Sequence, residues 1–209
     1  MAVEHAGIVL ELATRRKSVR VYSSEPVDVG DVLYAIATAL QAPSGANQQP
    51  WSFTLSTSPE VKAKLRKVCE DGKKEFYKNL GDLRVGLEER GFNWSKPFIT
   101  EAPVIVAVFA EMEEALRYPE HMASYWLHAI GIREEELASL TYIPPNSREI
   151  REVLRVPDSQ ALQTLIPVGH SDDLKPKEPR KGLLEAVHLN YWGLQVKHGI
   201  VGPRNLRIS

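Results

Sequence analysis

The stretch Ala102-Pro103-Val104-Ile105-Val106-Ala107-Val108-Phe109 restricts the fold more than any other part of the chain. It is a continuous apolar run of strand length, rich in β-branched residues and bounded by a proline. That pattern predicts a central strand buried on both faces. Such a strand needs apolar cover, and the flanking segments can supply it. Residues 4–14 carry Ile8, Leu10 and Leu12 in a short amphipathic helix. Pro26-Val27-Asp28 opens a second helix, with Val29, Val32, Leu33, Ile36, Ala37 and Leu40 at the helical period. Pro59 to about Leu80 reads as a long charged helix carrying Val61, Leu65, Val68 and Phe76, and Leu83 to Gly91 continues helically. Ser124 to Leu137, Ser147 to Leu154 (with Ser147 as N-cap) and Leu183 to Tyr191 read as further helices. The remaining strands are Trp51 to Leu55, Ala138 to Ile143 (stopped by Pro144-Pro145) and Ala161 to Gly169. Helices and strands are interspersed without regular βαβ spacing, which predicts an α+β fold.

The 209 residues are enough for one domain with a full core, so residues 1–209 are expected to form a single unit. The formal net charge of −1 gives no global field favouring nucleic acid or an anionic membrane. No apolar run approaches membrane-spanning length, and the N-terminus lacks a signal-peptide pattern, so a cytoplasmic protein is expected. Cys69 is the one cysteine, which excludes an internal disulfide and reads as an ordinary half-buried thiol. The six histidines show no ligand spacing, and no metal is expected.

Two stretches carry chemistry. In Arg15-Arg16-Lys17-Ser18-Val19-Arg20, four of six residues are basic and a serine stands among them. A solvated charge run and an anion pocket of arginine forks both fit; the shortness of the run favours a local phosphate site over a nucleic-acid surface. The loop Ala42-Pro43-Ser44-Gly45-Ala46-Asn47-Gln48-Gln49-Pro50-Trp51 joins a helix to a strand. It reads as turn chemistry, or as backbone N–H groups and an amide laid against a flat polar ligand. Phe92-Asn93-Trp94-Ser95-Lys96-Pro97-Phe98 breaks the helical pattern and mixes aromatics with one lysine.

Together these stretches resemble the FMN-dependent nitroreductase family, and within it the branch containing iodotyrosine deiodinase. Arg16 to Arg20 is similar to the family's N-terminal basic signature, and Ser44 to Trp51 to its Ser-Gly-Ala loop ending in Pro-Trp. Asn93 to Phe98 is similar to the branch's Trp-x-Lys motif; Pro167-Val168-Gly169-His170 and Arg180-Lys181 match two later motifs, in the same order. The resemblance implies the nitroreductase fold, a central mostly antiparallel sheet flanked by helices, in an intertwined homodimer with FMN at the interface. It implies that Arg16, Lys17, Ser18, Val19 and Arg20 hold FMN, with Arg16 on the phosphate and Arg20 near the N1/O2 edge. Ser44, Gly45 and Asn47 would approach the flavin, Ser44 and Gly45 from the partner subunit. Thr141, Tyr142 and Ile143 would line it near N5, and Arg180 would complete the phosphate clamp. Ala46, Lys73, Tyr77 and Lys96 fall at substrate positions.

The departures from the branch bear on substrate. It grips an amino-acid zwitterion with a glutamate, a tyrosine four residues on, and a lysine. Tyr77 and Lys96 match, but the glutamate position is Lys73, which repels an ammonium group. The position of a hydroxyl facing N5 is Ile143. At 128–137 the family has a longer buried apolar helix, by about two to three turns. The resemblance therefore implies an oxidoreductase with NAD(P)H as donor to FMN and nitroarenes or quinones as small aromatic acceptors. Reductive dehalogenation of halogenated phenols, or flavin binding without turnover, are the alternatives. Arg16→Ala and Arg180→Ala each remove a charge-assisted contact of roughly 1.5–3 kcal/mol, so each is expected to weaken FMN binding about tenfold to a hundredfold. Fluorimetric titration of apoprotein with FMN checks this; unchanged affinity in both variants would remove the phosphate assignment.

Overall fold

The computed structural model describes residues 11–42, 49–111 and 138–173, with Pro176 and Pro179. The apolar run forms strand β2 (Val104–Glu111), and Val104 to Ala110 are all buried. It lies antiparallel between β1 (Trp51–Ser56) and β4 (Gln160–Gly169). A short β3 (Ala138–Ser139) pairs with the far side of β4, giving the order β1-β2-β4-β3. The fold is α+β, an antiparallel sheet flanked by helices.

Alternation along β2 divides the core into two halves. Ile105, Ala107 and Phe109 pack on one side with Leu65, Cys69, Phe98, Ile99, Ile150 and Leu165. These come from α2 (Pro59–Lys78), α4 (Phe98–Glu101), α5 (Ser147–Leu154) and β4. Val104, Val106 and Val108 pack on the other side with Val32 and Ile36 of α1 (Val29–Ala39) and with Ile166 and Val168. Each fully buried branched or aromatic side chain contributes about 1.5–3 kcal/mol. The exposed i,i+3 and i,i+4 ion pairs along α2, such as Lys64–Glu60 and Lys78–Glu75, contribute little, so apolar burial is what seats this helix. Ser58 caps it, its side chain accepting the Val61 N–H, with Pro59 in the first turn. Between α2 and α4 lies α3 (Leu83–Glu89), which buries none of its residues.

Several expectations change in detail. The strand expected over 138–143 is hydrogen-bonded only at Ala138–Ser139, and Tyr142 rejoins β4 by exchanging both backbone bonds with Leu165. The register places Leu140 opposite Pro167, which has no N–H to give, so the ladder is interrupted there. The N-cap of α5 is Asn146, not Ser147, which is the first helical residue. Cys69 is fully buried because it follows Leu65 by one helical turn on the sheet-facing side of α2. On α1 only Val32, Ile36 and Ala39 are buried; Val29, Leu33 and Leu40 are exposed. The helices expected over Ser124–Leu137 and Leu183–Tyr191, and the short segment 128–137, lie outside the described residues. Among those described, no helix is long and apolar enough to cross a membrane.

Lys17–Leu174 form one compact unit, containing the sheet. Met1–Arg16 and Lys175–Ser209 form another, of which residues 11–15 are helical and the Arg16 N–H bonds the Leu12 carbonyl at 3.1 Å. Within the larger unit, segment 17–22 follows β3: Val19 N–H donates to Ser139 O at 2.9 Å, and the Tyr22 hydroxyl lies 3.1 Å from both Val19 O and Pro167 O. Gly169 closes this corner. A Cβ there would stand 2.6 Å from Pro103 Cδ and 2.9 Å from Tyr22 Cδ1, both on rigid rings. Gly169→Ala is therefore expected to cost about 1–3 kcal/mol in denaturant unfolding, as overpacking does; an unchanged midpoint would contradict this packing.

Candidate functional site

The second half of α2 builds one wall of a cavity. Cys69, Lys73 and Tyr77 recur every four residues, so they share one stripe of the helix, and Phe76 lies beside them. Buried Cys69 sets the stripe against the sheet, and Lys73, Phe76 and Tyr77 then line the cavity. The opposite wall is the segment 91–98. Its anchor is Glu70, whose Oε1 accepts from Arg66 Nε (2.8 Å), from the Lys96 N–H (2.9 Å) and from Ser95 Oγ (3.3 Å). Arg66 also donates to Thr100 Oγ1 at 3.0 Å, tying the segment to α4. The floor is Leu140, Thr141 and Tyr142, with the Tyr142 ring edge-on to Phe98 at 5.5 Å. Arg20 completes the lining of a space of about 560 Å³.

The charges inside are all positive. Among the described residues, Arg20, Lys73 and Lys96 line the cavity and no aspartate or glutamate does. Two cations rest on aromatic faces: Lys73 Nζ is 4.6 Å from the Phe76 ring centre, and Arg20 Cζ is 5.3 Å from that of Phe92. Lys96 Nζ donates to the carbonyls of Ser95 (3.1 Å) and Asn93. Burial, then the nearby Lys73 ammonium, push Lys96 down to about 8, although Glu70 and Cys69 act the other way. Burial also lowers Lys73. Burial would raise the Glu70 carboxyl, but its bonds from Lys96 N–H, Arg66 and Ser95 hold it below its ordinary value. Burial pushes the Cys69 thiol up to about 12, so it is not a nucleophile at neutral pH. The Tyr142 hydroxyl is raised by burial and faces that thiol; no well-formed hydrogen bond reaches it among the described residues.

The fold thus brings six of the expected site residues to one cavity: Arg20, Thr141 and Tyr142 from the flavin set, and Lys73, Tyr77 and Lys96 from the substrate set. Ile143 is outside the described lining and 69% exposed, and the hydroxyl side chain at this edge is that of Thr141, the Tyr142 hydroxyl being buried against Cys69. Lys17 Nζ bonds the Asp173 carbonyl, Ser18 bridges Ser139, and the Val19 side chain is buried in the core. Arg16 is half-buried within the smaller unit. Ser44, Gly45, Ala46, Asn47 and Arg180 lie outside the described residues. Sequence reasoning did not find Glu70 as the organiser of the second wall. Its signal was Arg66 one turn earlier, an i,i+4 partner that holds the carboxylate in place. Among the described residues no cluster of His, Cys, Asp or Glu could hold a metal ion.

This donor set suits an electron-accepting, negatively charged aromatic group: cations to meet developing charge, a hydroxyl at one edge and aromatic walls. Residues 13–170 match the model of the Nitroreductase family, and the chain belongs to that family. It is similar to the iodotyrosine deiodinase of Thermotoga neapolitana, with 38% identity over 183 residues, covering 85% of this chain and 96% of that one. A crystal structure of oxidized iodotyrosine deiodinase bound to FMN and 3-iodo-L-tyrosine matches with a TM-score of 0.73 at 35% identity, over 88% of this chain and 99% of that one. A Nitroreductase family protein from Streptococcus pneumoniae TIGR4 shares the fold, with a TM-score of 0.66 at 22% identity over 87% and 99% of the two chains.

The depressed Lys96 has a sign that can be checked. Its proton is held less firmly folded than unfolded, so the unfolded chain binds more protons above about pH 8. The burden of a charged Lys96 on the fold is present below that pH and is relieved as pH rises through it. After reductive ¹³C-methylation, one lysine resonance is expected to titrate near pH 8 and to be missing in Lys96→Arg. Lysine resonances that all titrate in the ordinary range would contradict the burial of this amine.

Proposed function

We propose that this chain is an FMN-dependent reductive dehalogenase of halogenated phenols, supplied with electrons by NAD(P)H. The observation that carries this reading is the cavity in which Arg20, Thr141 and Tyr142 meet Lys73, Tyr77 and Lys96. Support comes also from the two relatives at 38% and 35% identity, both iodotyrosine deiodinases. When bound and reduced by NAD(P)H, FMN would supply the two electrons that, with one proton, turn C–X into C–H and release halide. The chain supplies position and electrostatics. Arg20 offers a fixed cation where negative charge gathers, the Phe76, Tyr77, Phe98 and Tyr142 rings hold an aromatic ring, and Lys73 and Lys96 make the space around that ring cationic, which suits an anionic aromatic substrate. The Thr141 hydroxyl stands at the edge where Ile143 offers none.

Nitroarene reduction is the second reading, favoured by the missing hydroxyl at Ile143. Halide release from 2-iodophenol under anaerobic conditions, matched to reductant consumed, tests the choice. The reading expects one halide per electron pair. NAD(P)H oxidation with nitroarene and no halide from any halophenol would replace it with the second reading.

The working form in this reading is a homodimer. Leu33 and Tyr34 on α1 are more than half exposed and offer apolar surface, and Ser44 and Gly45 would complete the partner's flavin site. A ligand shared by two chains couples its affinity to their association. Sedimentation is expected to show a dimer that FMN stabilises; an FMN-loaded monomer at micromolar concentration would contradict the shared site.

A further inference from the structure

We propose that this cavity selects a halogenated phenol that carries a carboxylate and no ammonium group, as in a halogenated hydroxyphenylpropanoic acid. The proposal rests on the dehalogenase reading for the halogen and on the cavity alone for the carboxylate.

A carboxylate entering this space meets the ammonium groups of Lys73 and Lys96 and the Arg20 guanidinium. A charge-assisted bond in a half-buried setting is roughly twice as strong as a neutral one. Among the described residues, an ammonium group meets no acceptor of opposite charge, because no aspartate or glutamate is among those lining the cavity. The carboxylate behind the wall, Glu70, already accepts from Arg66, Ser95 and the Lys96 N–H. The carbonyls of Asn93 and Ser95 are taken by Lys96 Nζ. Two of the aromatic faces already hold cations, Phe76 that of Lys73 and Phe92 that of Arg20. An incoming ammonium would therefore lose its water, find no carboxylate among the described lining residues and stand among like charges. The aromatic walls require that the carboxylate ride on a ring, which separates this ligand from inorganic phosphate or an aliphatic acid.

The test compares three ligands that differ only in the side chain: 3-iodo-L-tyrosine, its deaminated acid 3-(4-hydroxy-3-iodophenyl)propanoate, and the decarboxylated 3-iodotyramine. Titration calorimetry on the protein as purified, and again with FMN added, reads the order of affinity whether or not flavin is retained. Removal of the ammonium, with its repulsion and its desolvation, is expected to favour the acid over iodotyrosine by about tenfold or more, and iodotyramine, which keeps the ammonium and lacks the carboxylate, is expected to bind weakest. Lys73→Glu should narrow or reverse that order, and Lys73→Gln should narrow it without introducing a new charge. Iodotyrosine binding as tightly as the acid, or iodotyramine binding better than it, would overturn the proposal. Dehalogenation of neutral 2-iodophenol separates the two claims. If it proceeds without acid preference, the proposal fails and the dehalogenase reading stands. If the acid is preferred but no halide is released from any of these compounds, the reverse holds.

Discussion

The structure depends on burying both faces of β2. Its alternating residues cannot all meet one layer: Ile105, Ala107 and Phe109 turn one way, and Val104, Val106 and Val108 the other. Two layers of cover follow from this. One is α1 with Phe53 and Leu55; the other is α2 with α4 and α5. The cavity belongs to the second layer. Leu65 and Cys69 seat the first part of α2 on the sheet, and the helix then carries Lys73, Phe76 and Tyr77 to the cavity. A sheet buried on one face would have no need of α2, and the functional wall would lose its support.

Positive charge inside an aromatic space is costly unless something compensates it, and here the compensation is local. Glu70 stays outside the lining and offsets the field from behind while holding the 91–98 wall. Ring faces under Lys73 and Arg20 replace part of the lost hydration. What stays uncompensated is the downward pull on Lys96, and such perturbed groups gather at functional sites. Among the described lining residues, the same arrangement that stabilises the three cations offers no carboxylate to a fourth.

Much of the fold was legible from periodicity. β2, the long α2 and the strand Gln160–Gly169 stand where the apolar pattern puts them. Where the reading went astray, a tertiary partner decided. Pro167 cuts short the strand after Ser139 through a missing N–H that the sequence of that strand cannot reveal. Leu33 and Val29 fit the helical stripe of α1, but only Val32, Ile36 and Ala39 reach the sheet. For the site, resemblance named the residue types, and no spacing rule could bring Arg20 to Lys73 and Thr141. It placed Thr141, Tyr142 and Ile143 at the flavin edge, and of these Thr141 and Tyr142 line the cavity. The 38% identical deiodinase moves the preferred reading from nitroarene reduction to dehalogenation.

The central claim is that one cavity serves flavin edge and anionic phenol together. A crystal structure of the protein with FMN and the iodinated phenylpropanoic acid tests it most directly. The account predicts flavin density against Arg20 and Thr141, the phenol ring among Phe76, Tyr77 and Phe98, and the carboxylate on Lys73 and Lys96. Flavin held elsewhere, or a carboxylate turned away from both lysines, would contradict it.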